Sequence, residues 1–420
     1  MAELVSGTTI QKKLKFLEKS QYWSREQIEE YQDKKLREII KYSYENVPYY
    51  TKLFDKLGLK PYDITTKNDL KKLPVLTKKI IRDNYKDLLI AGYEKRSYGS
   101  KTSGSTGDPI EFRLTKEDFS WIWAAHLRAW HWAGYSLGDK HLRVSQGPRK
   151  NLSRNIQNML MRCVFYSPGN MDTDKIKEFI VYIQELKPLM VYTYASTAQT
   201  VGEYVLKNKI FVHIPIIITT ADNLVLEKRK NIEMAFNTKV YDDYGCGGEG
   251  LKVASQCEEY NYHVSDELMI AEYVKGEITI TSFSNHAMPL IRYQPGDLVT
   301  SLKGECKCGK TLSMIKSVNG RATDYVITKS GAKMFMQFFG CNLLNYVDGV
   351  QYFKITQKKI DEIDMLLVVG DDYNKKSAEA HIRKTVSERS KAALKVNFIY
   401  VDKIPPEKSG KVKIIDNRLI

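Results

Sequence analysis

Between Met190 and Tyr241, short apolar runs alternate with amphipathic stretches, and this pattern constrains the fold more than any other feature of the chain. Met190–Tyr194, Ile214–Thr219 and Lys239–Tyr241 read as strands, and Ala198–Lys207 and Leu226–Phe236 as helices. Strands separated by helix-length crossovers pair in parallel, with helices covering the sheet. The expected class is therefore α/β. Upstream, Ser24 caps a periodic run (Ile28, Tyr31, Leu36, Ile39, Ile40, Tyr44) that Asn46-Val47-Pro48 ends, because proline disfavours helix at the residue before it. Downstream, Asp266 to Thr300 is strand-rich, and Glu277–Thr281 alternates like a half-exposed strand. After Gly320-Arg321 a strand–strand–helix–strand order follows: Val350–Gln357, Met365–Val369, Lys376–Ala392 and Val396–Val401. We expect a large first domain over 1–319, with a helical N-terminal region, and a small α+β domain over 320–420.

Composition narrows the class. The 420 residues are 43% apolar and 27% charged, which excludes collagen-like and wholly disordered chains. Six cysteines in this length are not a disulfide scaffold. No signal-peptide pattern is visible near Met1–Lys15, and the apolar run Ile210–Ile218 is too short to span a membrane. A cytoplasmic protein without a membrane span is expected. Net charge is +15, distributed as +7 over 1–100, +2 over 101–318 and +6 over 319–420. A basic balance fits nucleic acid, a membrane surface or phosphorylated small molecules equally well.

Four segments carry chemistry. Lys101-Thr102-Ser103-Gly104-Ser105-Thr106-Gly107-Asp108-Pro109 offers backbone N–H groups, hydroxyls and a cation to a polyanion, but lacks the common triphosphatase pattern. Tyr241-Asp242-Asp243-Tyr244-Gly245-Cys246-Gly247-Gly248-Glu249 starts at the end of a short strand, where ligands of open α/β sheets bind. There Tyr244 could stack on a base and Glu249 could hold Mg²⁺. Ile291-Arg292-Tyr293-Gln294-Pro295-Gly296-Asp297 presents a carboxylate suited either to capping its own turn or to both ribose hydroxyls. Glu407-Lys408-Ser409-Gly410-Lys411-Val412-Lys413 reads, alone, as a solvated tail.

Order and spacing make these four more informative together. With Leu36–Ile40, Asn46–Tyr50, Leu73–Lys78, Thr219–Asp222, Pro289–Tyr293 and Gly320-Arg321, the chain resembles the acyl-adenylate-forming superfamily. Within it, the likeness is to the phenylacetate–CoA ligase branch, including its capsular-polysaccharide-type members. The resemblance implies a mobile C-terminal lid and ATP-dependent activation of a carboxylate, with the acyl group passed to CoA or an amine. It implies that Thr102, Ser103, Gly104, Ser105, Thr106 and Gly107 grip phosphates and that Ala221, Asp222, Asp243, Tyr244 and Gly245 frame adenine. It further implies that Glu249 holds Mg²⁺, Asp297 the ribose, Arg321 the hinge side of the ATP site, and that Lys411 is catalytic. Joining a carboxylate to an α-phosphate brings two anions together, so positioning and charge neutralisation carry the catalysis. No general base is needed, because the nucleophile is already ionised.

Cys257, His263, Cys306 and Cys308 have zinc-ligand chemistry, and three thiolates plus one imidazole form a common closed structural set. Members of the branch have similar positions, so we expect a structural Zn²⁺ stapling segment 257–308. Trp121, Trp123, His126, Trp130, His131 and Trp132 crowd one helical stretch. Aromatics there are commonly core. In this superfamily the element borders the acyl cavity, which makes Trp123 and Trp130 candidate substrate contacts. His126 and His131 have no Ser or Cys nucleophile motif, so a hydrolase triad has no support.

Three departures refine the expectation. The interval from Tyr244 to Glu249 is one residue longer than is usual, with Gly247-Gly248 replacing a hydroxyl residue. The hinge has Thr323 where the first aspartate normally stands, followed by Asp324. Ala332-Lys333-Met334-Phe335-Met336 differs from the Asn-Val-Phe-Pro of phenylacetate–CoA ligases, pointing away from aromatic catabolism towards surface-polysaccharide or related biosynthesis. Two alternatives belong to other classes: a catalytically impaired nucleotide-binding protein, and a zinc-stabilised nucleic-acid-binding protein. The latter lacks a basic–aromatic recognition motif, so no nucleic acid partner is expected.

Overall fold

The computed structural model describes residues 9–101, 110–144, 158–159, 161–167, 173–222, 224, 226–321, 325–335, 338–343, 347–390, 394–404 and 414–419. Two compact units are present, one built chiefly from residues up to Val318 and one chiefly from Asn319 onward.

The first unit opens with helices Ile10–Ser20, Arg25–Asn46 and Pro48–Leu57. Ser24 Oγ accepts from Gln27 N at 3.3 Å while Gln27 Oε1 accepts from Ser24 N at 2.9 Å, a reciprocal cap at the expected position. Val47 breaks the helix, and Pro48 starts the next at its first position, where no N–H is required.

The strands of this unit are β1 (Leu76–Thr77), β2 (Tyr98–Lys101), β3 (Glu111–Leu114), β4 (His141–Val144) and β5 (Cys163–Tyr166). They continue as β6 (Met190–Tyr194), β7 (Ile216–Thr220), β8 (Lys239–Cys246), β9 (Leu251–Gln256) and β10 (Tyr262–Val264). Last come β11 (Met269–Val274), β12 (Glu277–Ser282), β13 (Tyr293–Gln294), β14 (Asp297–Leu302) and β15 (Met314–Arg321). All but the β2–β3 hairpin join one 13-stranded sheet, in which β5, β4, β6, β7 and β8 are neighbours in that order and all parallel.

Helices Ala195–Lys207 and Leu226–Phe236 cross between the parallel strands, as the alternation predicts. Both sheet faces are covered. Val191, Ile217 and Val240 pack with Phe179, Val201 and Ile232, while Met190, Tyr192, Ile216, Ile218 and Tyr241 join the core containing Trp130.

Two strand expectations need correction. β8 runs to Cys246 rather than ending at Tyr241, so Asp243 to Gly245 lie in the strand instead of in the turn after it. β12 is buried along nearly its whole length, not half-exposed. Its polar residues are accommodated by hydrogen bonds: Thr281 Oγ1 accepts from Arg292 N at 3.1 Å, and Thr279 Oγ1 from Gln294 at 3.1 Å.

The second unit holds a hairpin of β16 (Tyr325–Ile327) and β17 (Lys333–Phe335). Its four-stranded sheet comprises β18 (Val350–Lys359), β19 (Glu362–Val369), β20 (Lys395–Tyr400) and β21 (Ile415–Asn417), ordered β20-β19-β18-β21. Helix Lys375–Ser390 contributes Ile382 and Val386 to a core with Ile355, Ile363, Met365, Leu367 and Val396. This is the expected small α+β unit.

Among the described residues, no helix is long and apolar enough to cross a membrane.

Candidate functional site

The carboxyl ends of β6, β7 and β8 lie side by side, with Tyr194 opposite Thr220 and Thr220 opposite Asp243. Ala221 leaves β7 in the left-handed region, φ +67°, and turns the chain sharply. Asp222 Oδ2 accepts from Ser196 N at 3.2 Å and Ser196 Oγ at 2.5 Å, fixing this turn to the start of the next helix. Ala221, Asp222, Asp243, Tyr244 and Gly245 are thus brought to one edge of the sheet.

The two aspartates have different environments. Asp242 accepts from Thr219 Oγ1 and Tyr262 OH, both at 2.6 Å. Burial pushes its carboxyl up to about 6 despite these donors. Asp243 lies 2.5 Å from Lys252 Nζ, both buried, and 3.4 Å from Nδ1 of His126, a partly exposed residue of the aromatic helix. Burial alone would raise the Asp243 carboxyl, but the Lys252 ammonium and the His126 ring hold it below the usual carboxylate range. The Asp243 carboxylate, read from sequence as part of an adenine frame, is engaged by this ion pair.

Tyr244 is nearly enclosed, and Gly245 marks a shift of register against β9. A Cβ on Gly245 would stand 2.7 Å from the Leu251 carbonyl oxygen, so the approach of the two strands requires glycine. Glu249 sits in the following turn, buried, with Oε1 accepting from Tyr293 OH at 2.7 Å and Lys78 Nζ 3.8 Å away. Two segments far apart in sequence, Tyr241–Glu249 and Ile291–Asp297, meet through this hydrogen bond. Arg292 braces the second of them: Nε and Nη2 each lie 3.1 Å from the Glu272 carboxylate. Asp297 follows Gly296, φ +87°, and opens β14, half-buried.

The aromatic helix spans Lys116–Trp132 and starts at a Thr115–Asp118 capping box. Asp118 Oδ1 also accepts from Asn285 N at 2.8 Å, and Asn285 Nδ2 donates to the Glu249 carbonyl at 2.9 Å. Trp130 is fully buried among Tyr135, His141 and Tyr192, which makes it a core residue rather than a pocket wall. Trp123 remains half-buried, with the Arg143 guanidinium 5.0 Å from its ring centroid.

Thr102, Ser103, Gly104, Ser105, Thr106 and Gly107 lie outside the described residues, as do Thr323, Asp324 and Lys411. The flanking strands β2 and β3 pair antiparallel, with Lys101 opposite Glu111. Arg321 ends β15, and its side chain is outside the described set.

Cys257, His263, Cys306 and Cys308 converge, with their ligand atoms all within 4.8 Å of one another. Cys257 Sγ and Cys306 Sγ are 3.7 Å apart, and Cys308 Sγ is 3.2 Å from His263 Nε2. Bonds of about 2.3 Å around a tetrahedral ion separate sulfurs by roughly 3.8 Å, so the set has the right size for zinc. His263 Nδ1 lies 3.4 Å from the Leu312 carbonyl, a contact that would leave Nε2 facing the sulfurs. Burial pushes the Cys257 thiol up to about 12, so a thiolate there calls for a cation. Donor chemistry and spacing both fit the ion.

Two histidines make stability depend on pH. Burial lowers His126 and His141 to about 4, so both are neutral when folded. Unfolding restores an ordinary value near 6.5. Between pH 6.5 and 4 the unfolded chain therefore binds more protons, and stability falls on acidification. Asp242, raised, works in the opposite direction over an overlapping window but is one group against two. We expect a net loss on the order of 3 kcal/mol from these groups between pH 6.5 and 4. Urea midpoints should decline over that range, with His141→Gln reducing the slope; a slope identical to wild type would contradict the assignment for His141.

The contacts that Arg143, Lys252, His126 and Tyr293 make were not legible in the sequence. Arg143 sits in an ordinary strand with no motif around it. Lys252 is identified only by the strand pairing that sets it near Asp243. Tyr293 was within a recognised motif, so its position was a signal even though its partner was not.

Comparison with known proteins agrees with this architecture. Residues 326–418 match the family model of the CapK C-terminal domain. Phenylacetate-coenzyme A ligase of Thermus thermophilus is 24% identical, over 94% of this chain and 97% of that protein. Protein CapK of Staphylococcus aureus is 25% identical, over 93% of this chain and 89% of its own length. Over most of its length the chain is similar to phenylacetate–coenzyme A ligases and to CapK. A solved structure of 2-hydroxyisobutyryl-CoA ligase, in a postadenylation state with R3-HIB-AMP, superposes with a TM-score of 0.78. That match covers 95% of this chain and 91% of the ligase at 17% identity, and shows that the fold is that of adenylate-forming ligases.

Proposed function

We propose that the protein is an ATP-dependent carboxylate-activating ligase that forms an acyl-adenylate and passes the acyl group to CoA or an amine. The observation that carries this reading is the gathering of Ala221, Asp222, Tyr244 and the Tyr293-bonded Glu249 around the carboxyl ends of β7 and β8. Open α/β sheets bind ligands beyond those ends, and one relative with a coenzyme A ligase name matches nearly the whole chain.

In this reading, the carboxylate oxygen attacks the α-phosphorus and pyrophosphate leaves. Adenylation replaces oxide, a poor leaving group, with AMP, so that a thiol or amine can then attack the carbonyl. The turn at Ala221–Asp222 frames the base beside Tyr244, Asp297 takes the ribose hydroxyls, and Thr102–Gly107 hold the phosphates. Glu249 is the residue that would hold Mg²⁺, whose charge offsets that of the phosphates. Lys411 supplies a cation as charge builds at the α-phosphate. Cys257, His263, Cys306 and Cys308 would hold a structural zinc that ties the β9–β10 turn to the β14–β15 connection. The departure at Ala332–Met336 favours surface-polysaccharide or related biosynthesis over aromatic catabolism.

Acid-dependent incorporation of labelled pyrophosphate into ATP tests the reading, because adenylation is the reversible half-reaction. Lys411→Ala should retain about 1% or less of the exchange, the scale expected for loss of one transition-state charge contact.

A further inference from the structure

The wall of the site beneath Trp123 is built unlike a simple apolar pocket. Arg143, the third residue of β4, stands opposite Tyr192 of β6 and Phe165 of β5. Its guanidinium lies 5.0 Å from the Trp123 ring, 5.2 Å from Tyr192 and 5.6 Å from Phe165. Among the described residues no carboxylate forms an ion pair with it. Asp243, three strands away, is already matched by Lys252 at 2.5 Å. His126 is uncharged in the fold, so Lys252, Asp243, His126 and Arg143 together carry one uncompensated positive charge.

Lys252, Asp243 and His126 satisfy one another, with Asp243 2.5 Å from Lys252 Nζ and 3.4 Å from His126 Nδ1, so none of the three is free to pair with Arg143. The placement is informative as well. β4, β6, β7 and β8 are successive neighbours, so Arg143 stands three strands from Asp243, roughly 14 Å along the sheet. Ala221, Asp222 and Tyr244 lie at the β7–β8 end of that line.

We propose that Arg143 is a specificity residue that receives a second anionic group, at the far end of the substrate from the carboxyl that is activated. The favoured substrate class is a dicarboxylate or another acid with an anionic terminus, with Trp123 and Tyr192 flanking its chain. This rests on the ligase reading, and names the acid class for that same site. A guanidinium stacked on rings keeps its N–H edge available for a carboxylate, which it binds in a planar, two-point geometry.

Matched acids test the proposal on the unmodified protein: butyrate against succinate, valerate against glutarate, and hexanoate against adipate. Binding is read by calorimetry and turnover by pyrophosphate exchange. One diacid should bind at least about 100-fold more tightly than its monoacid partner, the discrimination available when a charged site meets an uncharged analogue. Arg143→Gln should weaken that diacid by a similar factor, Arg143→Lys should recover part of it, and Arg143→Glu should shift preference towards the matching ω-amino acid. Equal binding of each pair by the wild-type protein, or equal losses for every acid in Arg143→Gln, would overturn the assignment. If diacids bind with the predicted preference but no acid drives exchange, the pocket assignment stands and the ligase reading falls. Exchange that favours the monoacids has the opposite consequence.

Discussion

Lys252→Met is expected to destabilise the protein by about 3–5 kcal/mol, the cost of leaving one member of a buried ion pair without its countercharge. Lys252 and Asp243 are both almost wholly buried, 2.5 Å apart on adjacent antiparallel strands. Methionine fills a similar volume, so the loss is electrostatic more than steric. Burial lowers the Lys252 ammonium and would raise Asp243, and each overcomes part of the other's penalty. The double variant Lys252→Met/Asp243→Asn should therefore be more stable than Lys252→Met alone, since an amide can be buried at lower cost than an unpaired carboxylate. Denaturant unfolding of the three proteins checks this. A double variant less stable than Lys252→Met would show that Asp243 has a separate stabilising partner.

Loss of the thiolate cluster should be at least as damaging. Purified protein is expected to contain one zinc per chain, and Cys306→Ser and Cys257→Ser should each reduce it to a small fraction. Chelation should lower stability by on the order of 5 kcal/mol, because a closed zinc site converts metal affinity into folding free energy. The four ligands come from the end of β9, from β10 and from the β14–β15 connection, so removing the ion releases the connection from the sheet. Trp132, packed 5.8 Å from the His263 ring, provides a fluorescence reporter beside the site. Protein isolated in reductant without metal, and unaffected by chelation, would contradict the zinc assignment.

The sequence made the parallel sheet legible because apolar runs and amphipathic stretches alternated at the spacing of crossover connections. It made the Arg25–Asn46 helix legible because Ser24 and Pro48 bounded it. It misplaced the end of β8 because Asp242-Asp243-Tyr244-Gly245 has the composition of a turn. Those residues extend the strand only because Thr219, Tyr262 and Lys252, from other elements, satisfy the carboxylates. No local pattern can report such partners. Cys257, His263, Cys306 and Cys308 were singled out by donor chemistry together with the family resemblance, and the structure gathers all four. Arg143 was invisible for the opposite reason: it has no distinctive neighbours in sequence, and its meaning comes from three rings on three elements. Trp130 and Trp123 looked alike in the sequence, and burial separates them: Trp130 is fully buried and Trp123 half-buried.

The central claim is that the site joins a carboxylate to the α-phosphate of ATP. Its most direct measurement is exchange of labelled pyrophosphate into ATP, with the acid panel above extended to hydroxy and aromatic acids and Mg²⁺ present. The account predicts exchange that depends strictly on one class of acid, needs no acyl acceptor, and falls about 100-fold or more in Lys411→Ala. A protein that binds ATP yet shows no exchange with any acid, or exchanges equally without one, would contradict it.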